Sequence, residues 1–111
     1  MQRAIVAHLK VRAAKSLFWY AIPNGGWRSP VEAAIMKSTG TRAGVPDLAF
    51  LHEGRAYFLE IKADDRSRPT EAQLSAMAAI TDAGGHACIG VGVDGCLFIL
   101  EQWGLLKGTL Q

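Results

Sequence analysis

The chain has 111 residues, half of them hydrophobic, and a formal net charge of only +2. This is enough apolar material for one domain with a single core and no staples, and it excludes a disordered tail of high charge and low hydrophobicity. No run approaches the ~20 apolar residues of a membrane-spanning helix.

Residues 2–15 read as a helix, with Ile5, Val6, Leu9 and Ala13 on one stripe. The N-terminus is amphipathic and basic and lacks the apolar stretch of a secretion signal. Leu17 to Ile22 reads as an aromatic-rich strand closed by Pro23-Asn24-Gly25-Gly26, a strong turn signal. Ser29-Pro30-Val31-Glu32 marks a helix start: Ser29 as N-cap, Pro30 in the first turn, Glu32 closing a capping box. That helix should end near Ser38, with Gly40 beyond it. Strands follow at about 47–52 and 56–62. Thr70-Glu71-Ala72-Gln73 is a second capping box, opening a helix to about Ala83 that Gly84-Gly85 stops. His86 to Val91 is a further strand. Asp94 then caps a last helix through Trp103, or Cys96 to Leu100 forms a strand; the pattern allows both. No internal repeat, linker or low-complexity segment is present.

The chemistry concentrates in two strings, Gly44-Val45-Pro46-Asp47-Leu48-Ala49-Phe50 and Phe58-Leu59-Glu60-Ile61-Lys62-Ala63. Glu53-Gly54 between them suits a two-residue hairpin turn, because glycine tolerates positive φ. That turn pairs Leu51 with Ala56 and, further out, sets Asp47 opposite Glu60. Opposed residues have Cβ atoms roughly 5 Å apart, so one cation could bridge the two carboxylates. Glu60 and Lys62 share a face, while Leu59 and Ile61 point the other way. A slip of one residue would destroy the arrangement. The charges interrupt the apolar run Tyr57 to Ala63, a pattern of strands covered on both faces, where charge is costly unless paired or metal-bound. Phosphodiester cleavage needs charge relief at the phosphate, an activated water and a stabilised leaving oxygen, and a hard cation held by carboxylates supplies these. Mg²⁺ takes oxygen ligands and is usually held by one or two carboxylates. Lys62 would orient or deprotonate the water, or neutralise the scissile phosphate. On a surface strand a lone Glu-x-Lys would be no more than alternating charge.

The full succession is Ile22-Pro23-Asn24-Gly25-Gly26, Arg28-Ser29-Pro30, Glu32-Ala33-Ala34, Gly44-Val45-Pro46-Asp47-Leu48, Leu59-Glu60-Ile61-Lys62, and Gln73 on the following helix. It resembles the VRR-NUC domain of the PD-(D/E)XK nuclease superfamily, in its short stand-alone phage-type form, over nearly the whole chain. The resemblance implies an α/β, restriction-endonuclease-like fold with a central mixed sheet flanked by helices, one domain over residues 1–111. It implies Mg²⁺ or Mn²⁺ as cofactor, held by Asp47, Glu60 and the Ile61 backbone carbonyl, with Asp47, Glu60, Lys62 and Gln73 as the catalytic set. It also implies a DNA substrate and a homodimer cutting branched DNA such as four-way (Holliday) junctions. One departure is plain: the family commonly carries an acid in the first helix, and Gln2 to Lys10 contain none. Glu32 is the alternative ligand; otherwise one metal suffices, or the chain is a weakened nuclease that binds junctions.

Several residues carry two readings. Gln73 closes a capping box, yet shares the stripe of Met77 and Ile80 and could point into the site. Glu32 caps its helix or binds metal. Asn24 forms the turn or contacts phosphate. Trp27 stacks on a splayed base or packs against protein. Arg28 and Arg42 belong to a basic N-terminal half, with Arg3, Lys10, Arg12, Lys15 and Lys37, in which Glu32 is the only acid up to residue 42; such a half could line a phosphate path. Arg66 and Arg68 contact phosphate or decorate a solvated loop. Cys88 and Cys96 form no CxxC motif; Cys88, in an apolar strand, reads as a buried free thiol of a reducing, cytoplasmic compartment. The three histidines are scattered singly and make no metal-ligand pattern.

Overall fold

In the computed structural model, residues 1–23 and 28–108 are described. The elements run α1 (Gln2–Arg12), β1 (Phe18–Ala21), α2 (Pro30–Ser38), β2 (Leu48–His52), β3 (Arg55–Lys62), α3 (Glu71–Asp82), β4 (His86–Val91) and α4 (Gly92–Gln102). The four strands form one mixed sheet in the order β1-β2-β3-β4. The first three are antiparallel neighbours, and β4 joins β3 in parallel. A parallel neighbour requires a crossover, and α3 makes it. An α/β fold with a central sheet flanked by helices is therefore present.

The hairpin turn is built as its sequence demands. Glu53 and Gly54 both have positive φ, at 51° and 77°, the pattern of a type I′ turn. The resulting register pairs Leu51 with Ala56 and continues to Leu48 opposite Leu59. Both capping signals hold. The Ser29 hydroxyl accepts from the Glu32 N–H at 3.1 Å. Thr70 and Gln73 form a reciprocal capping box on α3.

One face of the sheet carries the core. Leu48, Phe50, Tyr57 and Leu59 are buried there against Ile5 and Leu9 of α1, Cys96 and Leu100 of α4, and the tail residues Leu105 and Leu106. Full burial of a Leu or Ile side chain is worth about 1.5–3 kcal/mol, so this cluster is the main source of stability. The opposite face is covered in part only. α3 packs against β4, but Phe18 and Tyr20 on β1 and Leu51 on β2 stay 60 %, 50 % and 49 % exposed. The expectation of a sheet buried on both faces is thus corrected: no helix spans the β1–β2 half among the described residues.

Local boundaries also differ from expectation. α1 stops at Arg12 rather than 15, because Ala13 leaves helical geometry and pairs with Leu106. The tail bonds back on both sides, Ala14 N–H to Leu105 O at 2.9 Å and Lys107 N–H to Arg12 O at 2.7 Å. Residues 92–102 form a helix, so the strand alternative for Cys96 to Leu100 does not occur; Cys96 and Leu100 lie one helical turn apart and both face the core. α4 begins at Gly92, with Asp94 inside its first turn rather than at its cap. Gly90 permits this close approach, since a Cβ there would lie 2.5 Å from the Cys96 sulfur. Cys96, not Cys88, is the fully buried thiol; Cys88 is half-buried, and both are free. Burial pushes the Cys96 thiol up to about 11, which makes it unreactive. No helix among the described residues is long and apolar enough to cross a membrane.

Candidate active site

β2 and β3 bring the two acids together by register. Asp47 stands just before β2, and the Ile22 N–H donates to its carbonyl at 2.8 Å, extending the β1–β2 ladder by one residue. Leu48 opposite Leu59 sets Asp47 beside Glu60. The Asp47 carboxylate is held rigidly: the Ile61 backbone N–H donates to its Oδ2 at 2.7 Å. The preceding loop is fixed by Gly44, whose φ is +80° and whose added Cβ would fall 2.3 Å from the Ala72 carbonyl carbon. Only glycine lets this loop lie directly on the N-terminus of α3, and that contact positions Asp47 relative to Gln73.

Gln73 fulfils both of its readings at once. Its Oε1 accepts from the Thr70 N–H at 3.0 Å, closing the cap. The same oxygen accepts from Lys62 Nζ at 3.0 Å, and its Nε2 donates to Glu60 Oε2 at 2.8 Å. Lys62 Nζ also lies 3.6 Å from Glu60 Oε2. The side chains of Glu60 and Lys62 are 7 % and 13 % exposed. Burial, and next the charge of Asp47, hold the Glu60 carboxyl above its ordinary range, while Lys62 pulls it down only in part. Two acids therefore share one lysine in a poorly hydrated corner, an arrangement short of positive charge.

That corner opens into a cleft of about 920 Å³. Asp47, Glu60 and Gln73 form one wall. Arg28, Lys37 and Arg42 line it from α2 and the neighbouring loops. Arg28 and Arg42 are thus brought to the site. Lys37 was missed as a site residue in the sequence, where it is one base among seven; only the placement of α2 beside the cleft distinguishes it.

Other candidates are not brought in. Glu32 is exposed on α2 and does not line the cleft; its carboxylate accepts from the Ser29 hydroxyl at 3.0 Å, a capping role. Arg66 is exposed and pairs with Asp64 at 3.4 Å, and Arg68 is exposed on the same loop. Neither lines the cleft. Asn24 and Trp27 lie outside the described residues. Among those residues no group of three or more Asp, Glu, His or Cys side chains converges for a metal, so the corner is a two-carboxylate site. All-oxygen donors, a surplus of negative charge and a raised Glu60 suit one hard divalent cation such as Mg²⁺ or Mn²⁺.

A scan against protein-family models finds no match, and a search of curated proteins finds none. Solved structures do match. A "VRR_NUC domain protein" superposes with a TM-score of 0.75 and 26 % identity, covering 96 % of this chain and 87 % of that one. A "VRR_NUC domain" superposes with a TM-score of 0.57 at 20 % identity, covering 91 % and 89 %; at that identity it speaks for the fold. With the Asp47–Glu60–Lys62 corner in place and the fold shared almost end to end, the chain is similar to VRR-NUC domain proteins.

Proposed function

We propose that the chain is a metal-dependent endonuclease that hydrolyses phosphodiester bonds in branched DNA, four-way junctions in particular. The observation that carries this reading is the under-neutralised pair Asp47 and Glu60, set by strand register and facing a cleft with a basic wall. Asp47 and Glu60 would hold Mg²⁺ or Mn²⁺, with the Ile61 carbonyl as a further ligand. The bound ion would polarise the scissile phosphate and lower the pKa of water. Lys62, whose Nζ lies 3.6 Å from Glu60 Oε2, would orient or help deprotonate the attacking water, or neutralise charge on the scissile phosphate. Gln73 fixes both Glu60 and Lys62 and excludes alternative rotamers. Arg28, Lys37 and Arg42 would take the phosphates on either side of the cut.

Junction selectivity would come from a homodimer presenting two sites, one per strand. α2 offers an apolar ridge for such pairing, since Val31 and Ile35 are exposed one helical turn apart. Light scattering at micromolar protein gives twice the chain mass in this reading; a monomer that persists on DNA rejects the paired-site arrangement.

A second reading is a junction-binding module with weakened catalysis. The lack of an acid in the first turn of α1 and of a third converging carboxylate among the described residues favours it. Cleavage of a panel of four-way junctions, flaps, nicked duplex, linear duplex and single strands separates the two, with Mg²⁺ and with Mn²⁺ and with Lys62→Ala as control. The nuclease reading expects cutting that Lys62→Ala abolishes. Tight junction binding without cutting under both metals favours the module.

A further inference from the structure

The sheet face that carries Glu60 and Lys62 does not end at the cleft. Direct pairing puts Tyr20, Ala49 and Phe58 in one row across β1, β2 and β3, and Phe18, Leu51 and Ala56 in the next. Paired residues share a face, and so do residues two apart. Phe58 is two residues from Glu60, so both rows lie on the active-site face. On β1 the series Phe18, Tyr20, Ile22 runs toward the site and ends where the Ile22 N–H meets the Asp47 carbonyl at 2.8 Å. The aromatic side chains of this series are the exposed ones, Phe18 at 60 % and Tyr20 at 50 %.

We infer that Phe18 and Tyr20 form a stacking platform for unpaired bases of the DNA strand whose backbone enters the cleft. This rests on the nuclease reading and adds to it the chemical state of the substrate next to the cut. Three observations support unpaired bases as the occupant. The platform shares the sheet face of Glu60, which lines the cleft, and the basic wall of Arg28, Lys37 and Arg42 there suits the sugar-phosphate chain. The two rings sit 5.8 Å apart and tilted by 50°, so they are not stacked face to face on one another. The spacing also discriminates: two residues along a strand advance about 6.6–6.8 Å, twice the ~3.4 Å step of a stacked duplex. Bases in continuous duplex are out of step with this ladder and have their faces covered. Bases freed at a branch or in a single strand have open π-faces and a backbone that can extend to match it. Tyr20, nearer Asp47, takes the first unpaired base, and Phe18 the second.

The test is fluorescence anisotropy in EDTA, with labelled oligothymidylate and a labelled blunt duplex as probes, on the full chain. Phe18→Ala and Tyr20→Ala should each weaken oligothymidylate binding by roughly 5- to 100-fold, with the duplex much less affected. Phe18→Tyr should retain the affinity. Phe18→Leu and Tyr20→Leu keep apolar bulk without a ring and should behave like the alanines. Equal losses on both probes, or leucine variants as tight as the native chain, would overturn the platform. So would light scattering in which the alanine variants turn a dimer into monomers, because the face would then be covered by a second copy. Junction cleavage with Mn²⁺, run alongside, separates this proposal from the nuclease reading: ring-dependent oligothymidylate binding without cleavage sinks the nuclease and leaves the platform, and cleavage with ring-independent binding does the reverse.

Discussion

Among the described residues charge is buried in two places, and they are treated in opposite ways. At the junction of α1, α4 and the C-terminal tail, the Arg12 side chain is 7 % exposed, and its guanidinium bonds to the Glu101 carboxylate, to the Lys107 carbonyl at 3.0 and 2.7 Å, and to His8 Nδ1 at 3.3 Å. One cation meets one anion, and the spare donors find oxygen and nitrogen acceptors. At the β2–β3 corner two acids meet one lysine, and the Glu60 carboxyl is pushed up as a result. The first cluster is complete and serves as a clasp. The second is short of positive charge, as the proposed cation site requires. A buried charge by itself says little about function; the mismatch in its neighbourhood says more.

Breaking each cluster should have a different signature. The largest effect belongs to catalysis: Asp47→Ala, Glu60→Ala and Lys62→Ala should each abolish junction cleavage, a loss beyond about 10²-fold, all with native circular dichroism. Cutting at native rate by Asp47→Ala would remove that residue from the metal site. The clasp should answer in stability instead. Arg12→Ala leaves Glu101 unpaired and opens a hole between two helices, costing about 3 kcal/mol in urea unfolding, with cleavage per folded molecule retained. A loss below about 0.5 kcal/mol, the size of an ordinary surface substitution, would mean that the clasp is ornamental.

Gly44→Ala probes the link between the halves of the site. Strain at φ +80° and the clash with the backbone of Ala72 should cost about 1–3 kcal/mol and displace Asp47 from Gln73, so stability and cleavage fall together. Lost stability with native cleavage would show that this contact does not position the site.

The smallest effect sharpens the contrast most. Breaking the clasp should destabilise; removing Glu60 should stabilise. A carboxyl raised on folding contributes stability that is complete below its unfolded pKa and is lost as pH rises through its folded pKa. In metal-free protein, stability should therefore decline as pH climbs from the ordinary carboxylate range to the raised Glu60 value. Glu60→Gln should flatten that part of the profile and raise Tm at neutral pH. A steeper profile in Glu60→Gln, or a lower Tm at neutral pH, would contradict the stated charge balance.

Much of the site was open to reading because local rules set it. The Glu53-Gly54 turn dictates the register, and register alone brings Asp47 to Glu60. The capping box at Thr70 places Gln73 in the first turn of α3, and the parallel crossover then lays that turn over β3. What escaped depended on contacts distant in sequence. α1 ends early because the tail pairs with Ala13, and nothing in residues 2–15 announces a partner at 106. Arg12 counted as one more surface base, yet it is buried because Glu101 and Lys107 arrive from the far end of the chain. Glu32 and Lys37 share a helix; spacing drew attention to the acid, whereas the helix turns the base toward the cleft.

The most direct test is calorimetric titration of Mn²⁺ into metal-free protein, native and Glu60→Gln, near neutral pH. The account predicts that the native chain takes up a single ion and gains Tm as it does so, and that Glu60→Gln does neither. Native-like uptake by Glu60→Gln, or no uptake by the native chain, would contradict it.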